Sequence, residues 1–185
     1  MVQPIAIRVG RFLVLVAAEP PGLLDQYVAN AKVTEQFGAD EDRSAAGYSF
    51  VAVSDGTWPE LVVTQRFSPT GGGFAPGILF VPETGVLFVG AGTRLLGYRR
   101  HESAAWRRLF VDEADMGFWA WRQHDDIVLM SAELELAAWT SDGVKLWTMF
   151  VEPPWSYDVV AREIQLEAMG SRSRFDARSG PRRTP

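Results

Sequence analysis

The order of apolar runs in the second half of the chain repeats at an interval of about 40 residues. An apolar run at residues 86–89 leads through a second run to a third that ends at residues 110–111. Another apolar run at residues 127–130 leads in the same way to a run that ends at residues 150–151. The two series of runs start 41 residues apart and end 40 residues apart. Short apolar runs separated by turns are typical of strands. The repeat therefore constrains this part of the chain to consecutive β-hairpins.

Turn residues favour the same interpretation. Asp55-Gly56 and Asp142-Gly143 each lie between apolar runs, and Asp-Gly is a strong hairpin signal because both central positions of the turn need positive φ. We predict a mainly β fold: an antiparallel meander of blade-like hairpins over residues 48–176. A curled sheet, a sandwich and a partial propeller are all compatible with it.

The first 45 residues do not fit a hairpin unit. Apolar runs before Pro20 predict two strands, and Pro20-Pro21 ends them because proline cannot donate to a sheet. Apolar residues then recur at helical spacing, which predicts one short helix near residues 22–36. We predict a single β-rich domain over residues 1–176 and a disordered, arginine-rich tail over residues 177–185.

One segment of the repeat resembles a known family. Residues 136–147 read Leu-Ala-Ala-Trp-Thr-Ser-Asp-Gly-Val-Lys-Leu-Trp: an apolar strand, an acidic-glycine turn, then a lysine and a tryptophan. This order resembles the blade repeat of PQQ-type β-propellers, and the similarity extends over residues 78–176. It implies a propeller-like arrangement of blades. Four blades at this period need about 160 residues, and residues 1–45 do not fit a blade. A curled sheet or a sandwich of the same hairpins is therefore favoured over a closed propeller. No cofactor-binding motif accompanies the resemblance, so we expect no cofactor.

Composition excludes several chemistries. The chain has no cysteine and only 2 histidines, which removes disulfides, thiolate zinc sites and cysteine nucleophiles. His101 and His124 lack the close spacing of a preorganised metal site, so we predict no metal. The glycines at residues 71–73 precede a strand rather than a helix, unlike a phosphate loop. Glu133 and Glu135 could act as paired carboxylates, but strand alternation alone accounts for them. We predict no catalytic residue.

Charge is distributed unevenly. The net charge is −5, whereas residues 112–167 contain 12 acidic and 3 basic residues, and residues 168–185 contain 5 basic and 1 acidic. An acidic balance argues against nucleic-acid binding and favours a basic protein partner. Apolar runs fall short of the ~20 residues of a membrane span, and the run at residues 12–18 is short for a signal peptide. We therefore expect a cytoplasmic location and no membrane contact.

The acidic block contains the densest aromatic cluster of the chain. If this segment is an extended strand, Trp119 and Trp121 share one face. Aromatic rings surrounded by charges are typical of the centre and rim of a protein interface. In the alternative interpretation both indoles belong to the core. The predicted partner-binding residues are Asp112, Glu113, Asp115, Phe118, Trp119, Trp121, Asp125 and Asp126.

These observations predict a non-enzymatic protein-binding module. The narrower hypothesis is an inhibitor of antitoxin or immunity type, whose acidic, tryptophan-rich face blocks a basic, toxin-like partner. A small-ligand or carbohydrate-binding β domain is the first alternative, since tryptophans also bind such ligands. A carboxylate-based hydrolase is the second.

Overall fold

The computed structural model describes residues 3–38, 47–68, 75–102 and 105–182. The glycines at residues 71–73 and the last three residues, 183–185, lie outside this part of the chain. Within it, strands form four sheets, which we number 1 to 4 in chain order. The helix of the described residues, α1, has seven residues, too few to cross a lipid bilayer.

Sheet 1 has five strands and carries the helix. Its elements are β1 (Ile5–Val9), β2 (Phe12–Ala17), α1 (Leu24–Asn30), β3 (Val33–Phe37), β4 (Gly47–Ser54) and β5 (Pro59–Phe67). The strand order is β1-β2-β4-β5-β3. All pairs are antiparallel except β3 with β5, which is parallel.

The remaining sheets are antiparallel meanders in which each strand pairs with the next. Sheet 2 contains β6 (Gly77–Val81), β7 (Val86–Ala91), β8 (Arg94–Arg100) and β9 (Trp106–Glu113). Sheet 3 contains β10 (Phe118–His124), β11 (Ile127–Ala132), β12 (Glu135–Thr140) and β13 (Lys145–Phe150). Sheet 4 contains β14 (Trp155–Val160), β15 (Glu163–Ala168) and β16 (Ser171–Asp176). The predicted mainly β fold of antiparallel hairpins with one short helix is confirmed.

The helix is shorter than the predicted segment. It ends at Asn30, and residues 33–37, most of which were predicted as helix, form β3 instead. One edge of this strand pairs with β5, from Val33 opposite Leu61 to Phe37 opposite Gln65. This pairing joins segments distant in sequence, so nothing local in the chain indicates it.

Apolar cores lie between successive sheets and arrange them in a row. β7 is buried on both sides, because Leu87 and Val89 face sheet 1 while Val86 and Phe88 face sheet 3. A third core joins sheets 3 and 4, and the apolar side of α1 covers the outer face of sheet 1. Strands covered on both faces need apolar residues at nearly every position. The continuous apolar runs of the repeat follow from this stacking.

Gly143 provides a test of the predicted β12–β13 turn. Its φ is +82°, and an added Cβ would lie 2.6 Å from Leu109 Cδ1. We expect Gly143→Val to lower the free energy of unfolding by about 1–2 kcal/mol, because a β-branched residue is strained at positive φ. Gly143→Asn is the control, since asparagine tolerates this conformation better. Equal urea midpoints for Gly143→Val and the wild type would contradict the turn assignment.

Residues 177–182 belong to the segment predicted as a disordered tail, but they pack against sheet 3. The Trp147 indole donates a hydrogen bond to the Ala177 carbonyl at 2.9 Å. The Asp176 carboxylate accepts a hydrogen bond from the backbone N–H of Arg178, which starts a turn. The prediction of disorder is wrong for these six residues, because a side chain of β13 and the end of β16 anchor them.

Candidate functional site

The aromatic residues of β10 lie on two faces of sheet 3, because a β-bulge between Phe118 and Ala120 breaks their alternation. Phe118 and Trp121 face sheet 2 and are 1% and 8% exposed. Trp119 stacks on Trp155 of sheet 4, with ring centres 5.1 Å apart. The prediction that Trp119 and Trp121 share a face is wrong. Phe118 and Trp121 are core residues and cannot contact a partner directly.

The predicted acidic residues lie at opposite ends of β10. β10 lies between Asp115 and Asp125, and its seven residues at about 3.3 Å each span roughly 23 Å. The Asp126 carboxylate accepts a hydrogen bond from Arg178, and Arg162 lies 3.8 Å away. Asp125 and Asp126 therefore belong to a different surface from the acidic residues that precede β10.

The acidic residues before β10 lie at the outer contact between sheets 2 and 3. Lys145 Nζ of β13 donates to Asp112 Oδ2 of β9 at 2.7 Å and lies 3.9 Å from Glu135 Oε1. Glu135 is buried and accepts hydrogen bonds from the Thr148 hydroxyl and, at 2.8 Å, from the Asp115 backbone N–H. These bonds fix the backbone that follows β9 against β12 and β13.

Two apolar side chains are exposed beside these acids. Phe150 is 63% exposed and lies opposite Glu135 in the β12–β13 pair. Met116 is 47% exposed and follows Asp115, whose carbonyl accepts a hydrogen bond from Leu134. We call this surface the β9–β13 junction. It comprises Asp112, Asp115, Met116, Lys145 and Phe150. Glu113 lies on the other face of β9, opposite Arg94, whose guanidinium lies over Phe37 of sheet 1.

Phe150 and Met116 were not among the residues predicted to lie at the binding surface. Residues 149–151 are three consecutive apolar residues at the end of a strand, and strand alternation requires the middle one to point away from its neighbours. Met149 and Val151 pack in the core between sheets 3 and 4, which leaves Phe150 on the opposite side. That run was therefore an available signal for an exposed aromatic ring.

A buried ionic cluster joins sheets 1 and 2 away from the junction. Glu60 accepts hydrogen bonds from Arg100 Nε at 2.7 Å, Lys32 Nζ at 3.0 Å and Trp106 Nε1 at 3.3 Å. Burial on its own would raise the pKa of the Glu60 carboxyl, but these donors outweigh burial, so the pKa lies below its ordinary value. The carboxylate is fully engaged, which suits a structural role.

A second polar contact between these sheets involves Tyr98. Its hydroxyl donates to Glu35 Oε2 at 2.7 Å, and Arg108 donates to the same oxygen at 3.0 Å. Burial and the neighbouring Glu35 carboxylate raise the pKa of Tyr98. Across the described ranges, no three histidine, aspartate or glutamate side chains come together as metal ligands.

Comparison with known proteins gives little beyond the geometry. No protein-family model and no curated protein matches the chain. Among solved structures, the crystal structure of Saccharomyces cerevisiae Sqt1 is similar with a TM-score of 0.46 and 13% sequence identity. The match covers 74% of this chain and 42% of the Sqt1 chain, so this protein spans less than half of Sqt1. A TM-score this low carries no functional argument.

Proposed function

We propose that this protein is a non-enzymatic protein-binding module that contacts a basic partner through the β9–β13 junction. The observation that supports it best is an exposed aromatic ring, Phe150, opposite Glu135. The Glu135 carboxylate binds the Asp115 backbone and lies beside the Lys145–Asp112 ion pair, so acidic residues surround the ring. An apolar centre with a charged rim is the arrangement of a protein interface. Asp112, Glu113 and Asp115 remain proposed partner contacts from the sequence analysis.

The junction is also held in place before any partner arrives. Glu135 binds the Asp115 backbone, and Lys145 binds Asp112. A surface that is already ordered loses less conformational entropy on binding. The acidic rim speeds association with a basic protein, whereas burial of Phe150 slows dissociation.

An inhibitor of antitoxin or immunity type is the narrower proposal, because an acidic surface suits a basic active site. PQQ-type blades remain the proposed relationship for the hairpins of residues 78–176, and residues 1–176 the proposed single domain. The hydrolase alternative loses support, since the Glu135 carboxylate is buried and hydrogen-bonded.

Site-specific photo-crosslinking tests the proposal and does not require the partner to be identified first. A photoreactive phenylalanine at position 150 should crosslink a basic protein in native extract. The same residue at position 5 is the matched control, because Ile5 is 68% exposed on β1 of sheet 1, away from the junction. Equal crosslinking at both positions would contradict the proposal.

Binding of the purified partner gives the second measurement. We expect Phe150→Ala to weaken affinity by roughly 30-fold, mainly through faster dissociation. The double variant Asp112→Lys and Asp115→Lys should slow association and flatten its dependence on salt. Ile5→Ala, on sheet 1, should leave both rates unchanged. A Phe150→Ala variant that binds like the wild type would remove the junction as the binding surface.

A further inference from the structure

Sheet 4 has one strand fewer than sheets 2 and 3 within the described residues. Sheets 2 and 3 each have four strands, and their fourth strands, β9 and β13, meet through Asp112 and Lys145. Sheet 4 ends at β16, its third strand. A fourth strand beside β16 would contact β13 of the neighbouring sheet in the same way that β13 contacts β9.

An open groove lies at this position. A cavity of about 720 Å³ separates β13 from β16 and is lined by Met149, Phe175 and residues 179–182 among others. The Trp147 and Phe175 rings pack edge to face with centres 5.6 Å apart. Met149 and Phe175 give the groove an apolar wall.

Within the described residues, β16 is an edge strand, and alternate backbone groups point toward the groove without a neighbouring strand. The β15–β16 hairpin turns through Met169 and Gly170, with φ of 49° and 75°. In a two-residue hairpin the residues flanking the turn exchange both hydrogen bonds, and every second residue along the strand then does the same. Ser171 flanks the turn, so Arg172 and Arg174 point their N–H and C=O groups away from β15.

Two hydrogen bonds at the end of β16 agree with this alternation. The Asp176 carbonyl accepts from Gly180 N–H on the outward side. The Ala177 N–H donates inward, to the Arg162 carbonyl. At this end of β16, backbone groups therefore point alternately away from β15 and toward it. The same alternation applies to Arg172 and Arg174 along the strand.

The side chains of β16 alternate in the same way. Phe175 faces the groove, whereas Arg172 and Arg174 lie on the outer face of sheet 4 with side chains 83% and 67% exposed. Arg172 Nε lies 3.1 Å from Glu167 of β15, and Arg174 Nη1 lies 3.8 Å from Glu163. An acidic row on β15 is followed by a basic row on β16, so an acidic row is favoured on the next strand.

We propose that the open edge of β16 binds an extended peptide of a partner protein, with alternating acidic and apolar residues, as an antiparallel fourth strand. Backbone hydrogen bonds to Arg172 and Arg174 supply affinity. Acidic side chains lie beside the two arginines, and apolar side chains enter the groove against Met149 and Phe175. A second copy fits poorly, because two antiparallel β16 strands bring arginines together.

A labelled eight-residue peptide of alternating glutamate and valine is the probe. Fluorescence anisotropy should detect its binding below about 1 mM, and a peptide with four glutamates followed by four valines should bind at least about tenfold more weakly. Because glutamates lie directly opposite Arg172 and Arg174, their amides point toward β16. N-methylation of the glutamate amides should abolish binding, and N-methylation of the valine amides should not.

Variants of β16 give an independent measurement. Arg174→Pro removes an outward N–H without breaking the β15 ladder and should reduce affinity at least about tenfold. Arg174→Gln keeps this N–H and should lose less. Phe150→Ala, at the β9–β13 junction, should bind the peptide like the wild type. The proposal would be overturned if the alternating peptide did not bind, or if both glutamate–valine peptides bound equally well. A dimer of this protein that Arg174→Pro disrupts would also overturn it.

Discussion

Replacement of Phe118 by alanine is expected to lower the free energy of unfolding by about 3–5 kcal/mol. The ring lies 5.6 Å from that of Trp121 and packs on the backbone of Gly77 and Gly90, where an added Cβ would lie 2.9 and 2.5 Å from it. Because glycine has no side chain to move into the space, the cavity would stay largely open. Urea unfolding followed by circular dichroism measures the loss.

Phe150→Ala is the matched control for this experiment. The same side chain is removed, but from a position that is 63% exposed, so the free energy of unfolding should change by less than about 0.5 kcal/mol. A Phe118→Ala cost under about 1 kcal/mol would contradict the core position of Phe118. The aromatic interface expected from the sequence would then regain support.

Glu60→Gln should lower the free energy of unfolding by about 3 kcal/mol at neutral pH. The substitution leaves the Arg100 guanidinium, whose side chain is 11% exposed, without its principal anion. Glu167→Gln is the control, because it removes an ion pair with Arg172 at the exposed surface of sheet 4. An exposed pair contributes less than about 1 kcal/mol, so equal losses for the two variants would contradict the buried cluster.

The Glu60→Gln effect should depend on pH in one direction. The pKa of Glu60 lies below its ordinary value of 4.5, so the folded state favours the charged carboxylate. Its stabilisation is complete above that value and is lost as the pH falls through the lowered pKa. Wild type and variant should therefore converge in acid, and a difference that persists unchanged at pH 2 would contradict this account.

Local patterns were sufficient for most of the fold but not for β3. The Asp142-Gly143 turn and the alternating apolar runs mark hairpins, because their pairing partners are near in sequence. β3 pairs with β5 across a separation of 28 residues, and its burial depends on sheet 2. No property of residues 33–37 alone distinguishes that strand from the end of the preceding helix.

Only part of the candidate site could be predicted from the sequence, because the rest also depends on contacts between distant segments. Strand alternation placed Trp119 and Trp121 on one face, but the bulge after Phe118 adds a residue and reverses the direction of those that follow. The acidic residues Asp112 and Asp115 do lie at the surface beside an aromatic ring. That ring is Phe150, brought there by the β12–β13 pairing and not by closeness in sequence.

The row of sheets makes resistance to unfolding unequal along the chain. In the described residues three apolar cores each join one sheet to the next, a fourth joins α1 to sheet 1, and none joins sheet 1 to sheet 4. Stability in such an array is close to a sum over neighbouring contacts. α1 shields one end, whereas no described residue covers the outer face of sheet 4, which is mostly polar. We therefore expect amide hydrogen exchange to be fastest in sheet 4, where local unfolding begins. A peptide bound along β16 should slow this exchange.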